Sequence, residues 1–253
     1  PFAVPLSLIS GALDIQDDII DQSKTKHGRP TVYGKYGKEI ALLTADALLF
    51  KGFTLLHKAC MDIPEEKAKK IMRIIKNMFY ELGDAEALEL NLRGKIDVTP
   101  EEYLHIIGKK AADVEAHTRV AAIIGDASPI YEEKLGEYGR LLGKIIIIRD
   151  EIMDALNQKE LKHRIKNEHL PLPLIYIVAS EKSLFYETLS KRNVTKESLN
   201  EIMIKMKRQG GLDYALSLIK KFLRSAQVIL TEEKLNTSRL TVFIKAFSLV
   251  TSI

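Results

Sequence analysis

A single cysteine, Cys60, stands in a chain of 253 residues, so neither a disulfide framework nor a cysteine-based zinc cluster can form within one chain. The eight prolines and 14 glycines are scattered without period, which excludes collagen-like and low-complexity classes. No apolar run approaches the ~20 residues that span a bilayer, and no repeat of ~20–50 residues or Gly/Ser-rich linker divides the chain. Basic residues (38) barely outnumber acidic ones (34), a balance that demands neither nucleic acid nor an anionic membrane. The opening stretch PFAVPLSLISGAL has no basic region before its apolar part and no small-residue cleavage site. It does not read as a signal peptide; the expectation is that a native N-terminal part is missing. Apolar (46%) and charged (28%) fractions fit a soluble, cytoplasmic globular protein.

What is present is helical. Prolines bound long proline-free stretches (31–63, 65–99, 101–128, 130–170 and 174–253). Within them apolar residues recur at three- and four-residue intervals, as in Leu42, Ala45, Leu49 and Phe53, the period of amphipathic helices. Thr99-Pro100 with Glu102 three residues on predicts a capping box. Ser128 before Pro129, Asp62 with Glu65, and Thr195 predict further helix starts, and Gly210-Gly211 a break. Ile145–Ile148 is β-branched but sits inside a continuous helical pattern from Tyr131 to Leu156, so it reads as a helix buried on several sides. The fold class expected is all-α, a single-domain bundle of about nine or ten helices.

Two acidic segments carry the chemistry. In LDIQDDIIDQSKTKHGRPT, residues 13–31, Asp17, Asp18 and Asp21 share one helical face, with Asp14 a turn earlier. Like charges at that spacing repel, and flanking Leu13, Ile15, Ile19 and Ile20 imply burial, so the carboxylates need partners or metal. The bland alternative is a solvated acidic face. Asp150, Glu151 and Asp154 repeat the i, i+1, i+4 spacing. Two such triplets on apolar helices suggest facing carboxylates around divalent cations in a bundle core. All-oxygen ligation points to magnesium, which also bridges phosphate oxygens; without a Glu-x-x-His pair on these helices, di-iron is disfavoured. Lys24, Lys26, His27 and Arg29 follow the first segment and would meet an anionic ligand.

These residues bear a family resemblance. DDIIDQSKTKHGRPTVYGKYG resembles the first aspartate-rich motif of the trans-isoprenyl diphosphate synthases, the polyprenyl synthetase family, and ALLTADALLFKGFTLL is similar to the helix that follows it. AEALEL (85–90) is similar to the family's Gln-x-x-Asp-Leu segment. YLHIIGKKAA (103–112) looks like its Tyr-Leu-x-x-Ile-x-x-Lys-Thr helix, GRLLGKIIIIRDEIMD (139–154) resembles the second aspartate-rich motif, and LPLPLIY (170–176) the segment after it.

The resemblance implies an isoprenoid-synthase-type helical bundle over residues 1–253, with a central active-site cavity. It also implies a magnesium-dependent prenyltransferase that extends an allylic diphosphate with isopentenyl diphosphate to a geranylgeranyl or longer product, working as a homodimer with no nucleic-acid partner. By resemblance Asp17, Asp18, Asp21, Asp150, Glu151 and Asp154 serve the metal, and Lys26, His27, Glu86, Lys110 and Lys166 the substrates. Asp17, Asp18, Asp21 and Lys110 would be catalytic. Leu8, Ile9, Ala12 and Leu13 would line the chain-length pocket, where the small Ala12 predicts a product of twenty carbons or longer. Departures are Glu151 for aspartate, Ile146-Ile147 for Phe-Gln, Ala111 for threonine, His27 for arginine and Asn167 for lysine; the loop between Asp154 and Leu170 is short. They keep open a second reading, a catalytically weak or regulatory subunit of a heteromeric synthase. A third, class I terpene cyclisation, is disfavoured by KHGRPT. His57, His105, His117, His163 and His169 share no ligand spacing, so core or surface roles are expected.

Overall fold

The computed structural model describes residues 1–26, 28–181, 189, 194–232 and 240–250; His27 lies outside them. The chain forms two compact units, Pro1–Ile75 and Lys76–Ile253.

In the first unit, α1 (Ala3–Ile20) leads through a two-residue antiparallel ladder, β1 (Thr25–Lys26) with β2 (Arg29–Pro30), to the short α2 (Val32–Tyr36) and then to α3 (Lys38–Met61). The ladder turns at Gly28, whose φ of +74° costs glycine little. Thr31 holds the loop together: its Oγ1 accepts from Gly34 N at 2.9 Å and donates to Ser23 O at 2.7 Å. A Cβ at Gly34 would stand 1.9 Å from Lys24 O, so no side chain fits where α2 meets the basic loop.

α1 packs along α3. The inner face of α3 is Ala41, Ala45, Gly52, Leu56, Ala59 and Cys60, offset from the expected Leu42, Ala45, Leu49 and Phe53. The helix is apolar on all sides, so periodicity could not choose, and the small residues win because they let the axes approach. A Cβ on Gly52 would come 2.7 Å from Ile9 Cγ1 and 3.1 Å from Pro5 O. By length and composition α3 is also the one described helix that could cross a membrane; the sequence pattern had hidden this because Asp46 and Lys51 interrupt the run.

The division between units falls within α4 (Glu65–Leu90), which begins directly after Pro64; Asp62, expected to start it, is the C-cap of α3. The second unit continues with α5 (Pro100–Lys110), α6 (Ala112–Ile124), α7 (Pro129–Leu156), α8 (Gln158–Asn167) and α9 (Leu172–Ser180). It ends with α10 (Lys196–Arg208), α11 (Gly211–Glu232) and α12 (Leu240–Val250). The Thr99–Glu102 capping box forms, and Ser128 and Thr195 cap α7 and α10.

α7 is the central helix and packs against α5, α6, α8, α9 and α11. Ile145 and Ile148 are fully buried on it, which is why a β-branched run survives as helix. Gly139 and Gly143 give α7 its close approach: a Cβ on Gly139 would meet Val114 O at 2.8 Å, and one on Gly143 would meet Ala111 Cβ at 2.8 Å. The described helices exceed the expected number because α2 is a short helix within a loop and a turn at Ala111 separates α5 from α6.

Candidate functional site

The first acidic segment closes α1. Asp21 is the C-cap, and no basic residue lies in the last turn, so carboxylates crowd the negative end of the helix dipole. Asp18 is 8% exposed. Burial pushes its carboxyl up to about 6, against the pull of Lys26 and with a further push from Asp17 and Asp14. Lys26, on β1, reaches Asp18 Oδ1 at only 3.9 Å. Buried carboxyls raised in this way concentrate at functional sites, and the all-oxygen donors of the segment fit a hard divalent cation.

In the second unit Lys110 ends α5, where a cation suits the helix dipole. It pairs with Glu89 of α4 and stands 3.4 Å from Glu86 Oε2. Burial would raise the Glu89 carboxyl, but Lys110 and His169 outweigh it and hold the group below its ordinary value. His169 Nε2 lies 2.6 Å from Glu89 Oε1, and Arg164 Nη2 lies 3.0 Å from the same ring nitrogen. The fixed ammonium of Lys110 is thus anchored at the end of a buried polar network.

The same network reaches the second acidic segment. Arg164, on α8, meets Glu151 Oε1 at 2.6 Å, Asp154 Oδ2 at 3.1 Å and Glu168 Oε2 at 2.9 Å. Tyr103 Oη donates to Glu151 Oε1 at 2.9 Å, and Leu172 N donates to Glu151 Oε2 at 2.8 Å. Glu151, expected among the residues that serve the metal, thus turns away from Asp150 into the interior, because one residue along a helix is a ~100° rotation. Burial pushes Asp154 up to about 6 despite Arg164, with Glu151, Glu168 and Glu160 adding to the rise. Asp150 is half-buried, and Arg149 donates to its Oδ1 at 2.8 Å.

Of the expected chain-length positions, Ile9 and Ala12 are fully buried, while Leu8 and Leu13 are half-buried. Ile9 lies against Gly52 of α3. Lys166 is exposed on α8; Arg164 and His169 hold the interior positions near it. Neither was picked out from sequence. The available signal was the cation-rich HRIKNEH run, which starts nine residues after the acidic triplet ends, with Arg164 and Glu168 at i, i+4. Tyr103 and Glu89 lie within the YLHIIGKKAA and AEALEL segments that carry the resemblance, but no role was read for either.

Residues 3–206 match the sequence model described as polyprenyl synthetase. The chain is 28% identical over 243 residues to a geranylgeranyl diphosphate synthase of Methanosarcina mazei, covering 94% of this chain and 73% of that protein. It is 30% identical over 218 residues to one of Saccharolobus solfataricus, covering 82% and 65%. Among solved structures, a geranylgeranyl pyrophosphate synthetase from Pyrococcus horikoshii superposes with a TM-score of 0.84 at 27% identity, over 99% of this chain and 78% of that one. A decaprenyl diphosphate synthase from Rhodobacter capsulatus, at 24% identity, gives 0.85 over 99% and 78% and shares the all-α fold.

Proposed function

The chain belongs to the polyprenyl synthetase family and is a prenyltransferase, and from that premise we propose that it joins an allylic diphosphate to isopentenyl diphosphate with magnesium, giving a geranylgeranyl or longer diphosphate. The observation that carries the reading is the acidic end of α1, where Asp18 is buried and under-neutralised beside Asp17. Asp17, Asp18 and Asp21 would hold magnesium, as would Asp150 and Asp154. Bound there, the metal supplies positive charge to the departing pyrophosphate.

The chain's own groups do the rest. Lys110, fixed by Glu86 and Glu89, and Lys26 on its hairpin would each offer the allylic diphosphate a cation, stabilising the charge that grows as the allylic carbon–oxygen bond breaks. The double bond of isopentenyl diphosphate attacks the resulting cation, and a proton leaves. His27 stays in this reading for isopentenyl diphosphate, and Lys166 for the allylic diphosphate. Leu8, Ala12 and Leu13 would accommodate the growing tail.

Incubating the chain with farnesyl diphosphate, isopentenyl diphosphate and magnesium tests this. Mass spectrometry is expected to show a product of twenty carbons or more that EDTA abolishes. A main product of fifteen carbons from geranyl diphosphate would refute the steric reading at Ala12.

We assign a second copy of the chain to the outer face of α3. Leu43, Ala47, Phe50, Thr54, His57 and Met61 are all exposed, with Phe50 at 78% and Leu43 at 64%. Their 4-3-4-3-4 spacing is a heptad seam, which pairs with another helix of like pattern, and a twofold axis places the same stripe on both sides. Light scattering should give a dimer that Phe50→Glu dissociates; an unmodified monomer at micromolar concentration would refute the assignment.

A further inference from the structure

Glu151 sits between two carboxylates that behave differently from it. Its side chain is 5% exposed, against 38% for Asp150 and 33% for Asp154. Asp150 and Asp154 are one turn apart on the same face of α7. Glu151 points about 100° away, toward α5, α8 and the start of α9.

Both of its oxygens are in use. Oε1 accepts from Tyr103 Oη and Arg164 Nη2, and Oε2 accepts from the Leu172 amide. Those three donors come from three different elements, so this carboxylate ties α7 to α5, α8 and α9 at once. Arg164 also reaches Asp154 at 3.1 Å and Glu168 at 2.9 Å, and the Arg164 guanidinium is charged at every accessible pH.

We propose that Arg164 is a built-in cation that takes the place of metal at Glu151. Glu151 is then a positioning residue, and Asp150 and Asp154 are the carboxylates of this segment that ligate metal. Arg164 orients Asp154 through Oδ2 and offsets part of the negative charge in the segment. His169, between Arg164 and Glu89, links that arrangement to Lys110. This inference rests on the metal-binding reading of the segment.

Binding of Mn2+ alone to the chain, followed by loss of the free-ion electron paramagnetic resonance signal, separates the two. Asp150→Asn and Asp154→Asn are expected to weaken Mn2+ binding by about tenfold or more. Glu151→Gln keeps an acceptor for Arg164 and Tyr103, and is expected to change it by less than about threefold while lowering the melting temperature. Equal losses for Glu151→Gln and Asp150→Asn would overturn the proposal and leave the metal reading standing. Failure of the unmodified chain to bind Mn2+ would overturn both. Should Glu151→Gln not fold, Arg164→Lys serves: it keeps the internal charge, so Mn2+ binding within about threefold of the unmodified chain supports the proposal and a tenfold loss overturns it.

Discussion

Replacing Arg164 by methionine removes the guanidinium that faces Glu151 at 2.6 Å, Glu168 at 2.9 Å and Asp154 at 3.1 Å. The guanidinium side chain is 11% exposed and Glu151 5%, so water cannot take over its role. Breaking a buried pair by deleting one partner costs about 3–5 kcal/mol, mostly from the charge left behind. For a unit of this size each kcal/mol moves the melting temperature by about 2–4 °C, which gives a fall of about 6–20 °C. Near-ultraviolet circular dichroism at pH 7.5 in EDTA reads the transition. Adding Glu151→Met to Arg164→Met should recover part of the loss, because two apolar groups replace two charges. A fall of less than about 2 °C, or no recovery in the double variant, would refute the reasoning.

Two other outcomes follow from the same geometry. Because burial raises Asp18 to about 6, the folded state binds its proton more tightly than the unfolded chain; metal-free stability should decline as pH rises from about 4 to 6 and stay lower above. Asp18→Asn should flatten that decline in EDTA melts and raise the melting temperature at pH 7.5; an unchanged profile would show that Asp18 carries no such burden. Gly139→Ala sets a helix-propensity gain of about 1 kcal/mol against overpacking of about 1–3 kcal/mol at Val114 O. Denaturant unfolding should give a net loss of about 0–2 kcal/mol, and a more stable variant would contradict the close α6–α7 approach.

Local features were legible in the sequence, and assembled ones were not. The Thr99 capping box and the Ser128 cap rest on contacts within a few residues, and α7 on an unbroken helical period, all of which spacing reveals. The acidic end of α1 was legible for the same reason, since its carboxylates are contiguous. The inward turn of Glu151 was not, because i, i+1, i+4 spacing does not say which of two adjacent carboxylates faces the interior. That choice is made by Tyr103, Arg164 and Leu172, which lie 48, 13 and 21 residues away in the chain. The contact of Ile9 with Gly52, 43 positions on, was likewise invisible to local spacing. On α3 the apolar residues surround the axis, so only the position of α1 decides that Ala41 and Ala45 face inward while Leu43 and Phe50 face out.

The central claim is most directly tested by transfer of label from isopentenyl diphosphate into an extractable polyprenyl diphosphate, comparing the unmodified chain with Asp17→Ala and Asp18→Ala under saturating magnesium. Measurable elongation by the unmodified chain, with turnover at least about a hundredfold lower in each variant, is the expected result. No elongated product from the unmodified chain, or equal turnover in all three, would contradict it.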